Sequence, residues 1–227
     1  MHFTMVHGHR LWTSVMTSSN KRYYLIFLFA ILMVIFLWLS VKVYNQQTFQ
    51  FDKDVFLWCH KYESKIVTNL AITVTFLGSQ TFLLPANIIL GLWFLFLHKK
   101  KDYAWKIAIV SLSSSGFLFL IKYLVKRPRP DSPLVAALHY SFPSGHTFTS
   151  ITFFGMVCYF VLSYLRHKIL AFFIVGLCVS MVILVACSRI YLYVHYASDV
   201  IAGFCLGIMW LILAKWFLIG KTKPATN

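Results

Sequence analysis

Apolar residues in this chain gather into long charge-free runs: residues 23–41, 66–97, 147–165, 169–188 and 200–214. A sixth, residues 107–121, is bounded by Lys106 and Lys122. A helix that crosses a bilayer needs about 20 apolar residues. The two shorter runs reach that length if Lys106 and Lys215 extend their stems along the helix and place their ammonium groups in the interface. The 66–97 run is too long for one straight span, and Gly78-Ser79-Gln80 interrupts it. The pattern therefore predicts a second helix at about residues 79–97, with the preceding part at the membrane interface. The expectation is an all-α polytopic membrane protein with six transmembrane helices. Residues 1–22 form a tail, residues 23–220 the membrane domain, and residues 221–227 a second tail.

Composition agrees, with 59% hydrophobic and only 12% charged residues, too apolar for a soluble domain. The N-terminal positive flank followed by an apolar run resembles a signal peptide. The run is long for a signal core and no small-residue cleavage site follows, so it reads as an uncleaved first helix. Gln46 to Phe76 forms the largest loop, nearly balanced in charge, and Val55-Phe56-Leu57-Trp58 within it suits a short helix on the membrane surface. The net charge of +15 is spread over short loops with no nucleic-acid motif, so anionic membrane lipids, and not nucleic acid, are the expected partners. The five cysteines show neither a disulfide framework nor metal-ligand spacing. His2, His7 and His9 read as inert residues of a tail.

Charge distribution also predicts orientation. Basic clusters follow the second, fourth and sixth spans, at His98-Lys99-Lys100-Lys101, Arg166-His167-Lys168, and Lys221 with Lys223. These place both termini in the cytoplasm. Lys122, Lys126, Arg127, Arg129 and Arg189 then fall on the outer side, against the trend, and a site there is the natural explanation.

Three clusters converge on that face. Lys122 and Arg129-Pro130 lie at the exit of the third span, where Pro128 ends the helix nearby. Pro143-Ser144-Gly145-His146 precedes the fourth span and reads as a helix N-terminus, where free N–H groups and the dipole favour an anion. Arg189 ends the fifth span, and His195 and Asp199 open the sixth. Four residues apart, these two would share a helix face, so a carboxylate reaches the imidazole. Three cations, a helix N-terminus and two histidines suit phosphoryl transfer, in which charge spreads over the equatorial oxygens. His195, oriented by Asp199, is the expected nucleophile, and His146 the acid for the leaving oxygen.

Lys122-x6-Arg129-Pro130, Pro143-Ser144-Gly145-His146 and Ser188-Arg189-x5-His195-x3-Asp199 resemble the three signature motifs of the type 2 phosphatidic acid phosphatase superfamily. By length and the stretch 77–86, the chain is most similar to short bacterial phosphatidylglycerophosphatase B-like and undecaprenyl-diphosphatase members. The resemblance implies that His195 forms a phosphohistidine, Asp199 polarises it and His146 is the general acid. Lys122, Arg129, Ser144, Gly145 and Arg189 would hold the phosphate, without metal or cofactor. It implies a lipid phosphate or diphosphate as substrate, with undecaprenyl diphosphate, phosphatidylglycerophosphate and phosphatidic acid as leading examples, and a role in recycling cell-wall precursors.

Spacing from Lys122 selects Arg129 over Arg127, because position 120 is Leu120. Lys126 and Arg127 are read as attracting anionic lipid or as solvated charges. His139 and Asp131 either tune substrate entry or are loop residues without special role, and His60 and His167 carry no functional expectation. Two rivals stay open: a lipid phosphotransferase on the same scaffold, and a non-enzymatic anion or lipid carrier. Oligomeric state is not legible.

Overall fold

A computed structural model describes residues 18–45, 49–97 and 101–216, with side chains from Arg22 onward. The terminal tails, including His2, His7, His9, Lys221 and Lys223, and the loop residues His98, Lys99 and Lys100, lie outside the described residues. Eight helices and no strand are present among the described residues: α1 Ser18–Tyr44, α2 Gln50–Lys61, α3 Lys65–Phe76, α4 Gln80–Phe96, α5 Lys101–Val125, α6 Gly145–Tyr164, α7 Lys168–Tyr191 and α8 Ala197–Ala214. They supply six segments long and apolar enough to cross a membrane. Lys106 and Lys122 fall inside α5, which extends the sixth run to 25 residues, as the lysine stems allow.

The second span differs from the sequence expectation. The break comes where Gly78 predicts it, but the segment before it does not stand apart. α3 and α4 together form one apolar span, Lys65–Phe96, and α3 packs along α7. Ser64 caps α3 by accepting from the Val67 N–H at 3.3 Å, and Ser79 restarts the helix by accepting from Phe82 at 3.3 Å. The Thr68 hydroxyl and the Tyr191 phenol lie 3.1 Å apart, and Arg189 donates to Thr75 Oγ1 at 2.8 Å. Such polar pairs hold helices together where lipid offers no hydrophobic drive.

α8 is the central helix, with 67% of its apolar window buried against 11% for α1. It packs on α1 and α6, and α6 also contacts α4, α5 and α7. Close approach of α6 and α8 rests on small residues. A Cβ on Gly203 would lie 2.9 Å from the Ser144 carbonyl oxygen, and one on Gly207 would lie 2.8 Å from Ile151 Cβ. Phe36, Phe142, Phe148, Leu206 and Met209 fill the core between α1, α6 and α8. The α6–α8 contact fixes the N-terminus of α6 against the first turn of α8, and the candidate site is built there.

Candidate active site

α5 ends at Val125, before Pro128, and Lys126 turns the chain with φ 52°. Lys122, in the last turn, donates from Nζ to the Tyr140 carbonyl at 2.6 Å and lies 3.4 Å from that of Ser141. Arg129 lies beyond the helix. Its Nε and both terminal nitrogens donate to the carbonyls of His139 at 3.0 Å, Val194 at 2.5 Å and Leu138 at 2.6 Å. The loop before α6 thus arms both cations with carbonyl partners and aims them at one place.

α7 carries Arg189 in its last turn, and the chain then turns through Leu192–Tyr196 into α8. Tyr193 adopts φ 53°, and the N–H groups of Val194 and His195 both donate to the Arg189 carbonyl at 3.3 Å. His195 therefore sits in a turn, not on a helix. The expected shared helix face is not what joins it to Asp199. Asp199 occupies the first turn of α8 and caps it, Oδ2 accepting from the Tyr196 N–H at 2.9 Å, as in half of a capping box. That same oxygen lies 3.5 Å from His195 Nδ1. It also accepts from the Ser141 hydroxyl, which is 3.4 Å from His195 Nδ1.

The imidazole is thus fixed at Nδ1 by Asp199 and Ser141, while Nε2 lies 3.4 Å from an Arg129 nitrogen. His195 is 1% exposed. Burial draws its pKa down to about 4, against the opposing pull of Asp199, and Lys122 and Arg129 add to the lowering. The ring is neutral at pH 7, the state in which a nitrogen lone pair is free.

A cavity of about 640 Å³ lies beside the ring, and Lys122, Arg129, Gly145, His146 and His195 all line it, together with His139. Five of the eight predicted site residues therefore meet at one cavity, and Asp199 stands behind His195. The remaining two are placed less directly. Ser144 is fully buried; its hydroxyl accepts from Thr147 Oγ1 at 2.9 Å and its N–H donates to the Asp199 carbonyl at 3.0 Å. Arg189 is also buried, and its Nε–H has no partner among the described residues, an orphan donor of the kind an anion satisfies.

Three residues that sequence reasoning passed over belong to the same assembly. Ser141 bridges Asp199 and His195. Arg127, expected on lipid or in solvent, is 6% exposed and donates to Asp199 Oδ1 at 2.6 Å. Asp52, counted among the balanced charges of the large loop, is 1% exposed and accepts from Arg127 at 3.0 Å. Arg127's place among cations contrary to the charge trend was the one available signal. Asp52 and Ser141 gave none. Lys126 stacks its ammonium over the Tyr123 ring at 4.6 Å, His60 pairs with Glu63 at 2.8 Å, and His167 caps α7.

Six apolar spans thus carry, at one end, a buried His–Asp pair with Lys122, Arg129 and the N-terminus of α6 beside it. The model of the PAP2 superfamily matches residues 103–223, and the chain belongs to that superfamily. It is 34% identical over 149 residues to phosphatidylglycerophosphatase B of Bacillus subtilis, covering 63% of this chain and 71% of that protein. The crystal structure of a transmembrane PAP2-type phosphatidylglycerolphosphate phosphatase from the same organism superposes with a TM-score of 0.78 at 26% identity, covering 86% of this chain and 98% of that one. Lipid phosphate phosphatase delta of Arabidopsis thaliana is 30% identical over 114 residues, 44% of this chain and 27% of that longer protein.

Proposed function

We propose that this protein is a membrane phosphatase that hydrolyses lipid phosphates through a phosphohistidine on His195. The observation that carries the reading is the two-sided setting of the ring. Nδ1 is held by Asp199 and Ser141, while Nε2 lies 3.4 Å from Arg129, and both residues line the cavity. Nε2 attacks phosphorus, and the bond from phosphorus to the leaving oxygen breaks. His146 delivers a proton to that oxygen and then takes one from the water that cleaves the phosphohistidine, releasing inorganic phosphate. Lys122, Arg129 and Arg189, with the N–H groups of Gly145 and His146 at the start of α6, stabilise the charge on the phosphoryl oxygens.

The names of the curated relatives support phosphatidylglycerophosphate and other lipid phosphates as substrates. Undecaprenyl diphosphate fits the same chemistry, with the lipid monophosphate as leaving group. Metal is not required in this scheme. Three cations, Lys122, Arg129 and Arg189, occupy the role an ion would fill. The basic residues Lys101, Arg166 and Lys168 at the opposite ends of the spans support an extracytoplasmic site with both termini inside.

The test is release of inorganic phosphate from phosphatidylglycerophosphate, phosphatidic acid and undecaprenyl diphosphate by detergent-purified protein in EDTA. Release that vanishes in His195→Ala is expected, and the relative rates rank the lipids. Release that needs added metal contradicts the metal-free scheme. A new phospho-product formed from an added alcohol in place of phosphate favours transfer over hydrolysis.

A further inference from the structure

The surface helix α2 reaches into the catalytic machinery through a buried cluster of charges. Arg127 lies between two carboxylates, donating from one terminal nitrogen to Asp199 Oδ1 at 2.6 Å and from the other to Asp52 Oδ2 at 3.0 Å. Ser198 closes the group. Its hydroxyl accepts from Arg127 at 2.8 Å and donates to Asp52 Oδ2 at 2.6 Å, and its N–H donates to Asp52 Oδ1 at 2.8 Å. Asp52 thus caps the first turn of α8 from another helix. The Arg127 guanidinium also lies 3.9 Å from the Tyr196 ring centre. Phe56 of α2 packs against the same ring at 5.5 Å and against Tyr193 at 5.4 Å. None of Asp52, Arg127 and Ser198 lines the cavity.

Two physical consequences follow. The planar guanidinium has fixed donor directions, so anchoring Oδ1 sets the rotation of the Asp199 carboxylate and turns Oδ2 toward His195 Nδ1. Charge is the second. Arg127 alone would neutralise Asp199, leaving the imidazole without a counter-charge as it becomes cationic on phosphorylation. Asp52 restores it, since two carboxylates then flank a single guanidinium. A buried pair whose only task is stability is often replaceable by apolar residues. Here the pair is wired to the carboxylate that orients the nucleophile.

We propose that Asp52 and Arg127 are positioning residues for the reaction, acting through Asp199 to hold His195 in register and to keep a net negative charge behind its Nδ1. This rests on the phosphatase reading above. It assigns α2 a part in catalysis.

The test compares wild type, Asp52→Asn, Asp52→Glu, Arg127→Lys, Asp199→Asn and the double variant Asp52→Asn/Asp199→Asn. Phosphate release from phosphatidic acid in detergent micelles is followed beside thermal unfolding. Partners behind an oriented histidine act on the scale of roughly 10–100-fold. Asp52→Asn and Arg127→Lys are expected to lower kcat by that factor with KM within about twofold, and Asp52→Glu to recover part of the loss. Added to Asp199→Asn, the Asp52→Asn change is expected to cost nothing further, because both act through one carboxylate. Wild-type kcat in Asp52→Asn and Arg127→Lys, a loss confined to KM, or additive losses in the double variant would overturn the proposal. Should single variants fail to fold, Asp52→Leu/Arg127→Met/Ser198→Ala removes the whole buried cluster at once. A folded triple variant with low kcat supports the proposal, and one with wild-type kcat refutes it. A wild-type protein that releases no phosphate removes the phosphatase reading itself.

Discussion

Gly203→Ala is the smallest change that should disturb the site without touching it. The added methyl would lie 2.9 Å from the Ser144 carbonyl oxygen, 3.1 Å from Thr147 Cβ and 3.4 Å from Thr147 Cγ2. The first partner is backbone and cannot rotate away. Its carbonyl accepts from the Phe148 N–H at 3.1 Å, and the Ser144 N–H donates to the Asp199 carbonyl at 3.0 Å. Ordinary contact begins near 3.4 Å, so about 0.5 Å must come from moving the start of α6 against the start of α8. Overpacking of this size costs about 1–3 kcal/mol, offset by about 1 kcal/mol from the helix preference of alanine over glycine. The net destabilisation is roughly 0–2 kcal/mol. Activity should suffer more. Gly145 and His146 follow Ser144 directly, and a displacement near 1 Å costs about 100-fold in a positioned reaction. Half that movement predicts roughly a tenfold loss of kcat. Gly91→Ala and Gly176→Ala are the controls, since a Cβ at either meets nothing within 4 Å. Phosphate release and thermal unfolding of the three variants decide the matter. Gly203→Ala with the kcat and Tm of Gly176→Ala would refute the close-packing argument.

Other expectations follow from the same geometry. Ser141→Ala removes a hydroxyl that donates to Asp199; a hydrogen bond to a charged group is worth about 1.5–3 kcal/mol, so kcat should fall roughly 10–100-fold with little change in KM. The His195 pKa, lowered from 6.5 to about 4, has a signed consequence. Between those values the unfolded chain takes up a proton that the native ring refuses, so its contribution is complete above pH 6.5 and lost as pH falls toward 4. Thermal unfolding of His195→Gln should lack that part of the pH dependence; an unchanged profile would contradict the buried neutral ring. For orientation, an impermeant maleimide added to intact cells should label Asp131→Cys above the wild-type background and leave Arg166→Cys unlabelled, the reverse pattern inverting the topology.

Much of this was legible because the chemistry is written in short spacings. Lys122, Arg129, His146, Arg189, His195 and Asp199 announce themselves as polar residues at the ends of apolar runs, Gly145 belongs to a helix-start signal, and six spans follow from the runs alone. The physical reason for one pairing was nevertheless different. His195 and Asp199 meet because Asp199 caps α8 from its first turn, not because both ride one helix face. Asp52 stayed hidden because its partners lie 75 and 146 residues away, and an aspartate in a charge-balanced loop carries no mark of burial. Ser141 was equally silent, a small hydroxyl in a loop whose value depends on tertiary contact. α3 was misplaced because an apolar stretch before a glycine break fits an interfacial segment as well as half of a span. Only its packing along α7 and the bonds from Tyr191 and Arg189 choose between them.

The most direct test of the central claim is to trap the covalent intermediate. Detergent-purified protein would be mixed with 32P-labelled phosphatidic acid, quenched within the first turnover and analysed for protein-bound phosphate. The account predicts label that survives alkali, is lost in acid, maps to His195 and is absent from His195→Ala. Active protein that never carries such label, or carries it on another residue, would contradict it.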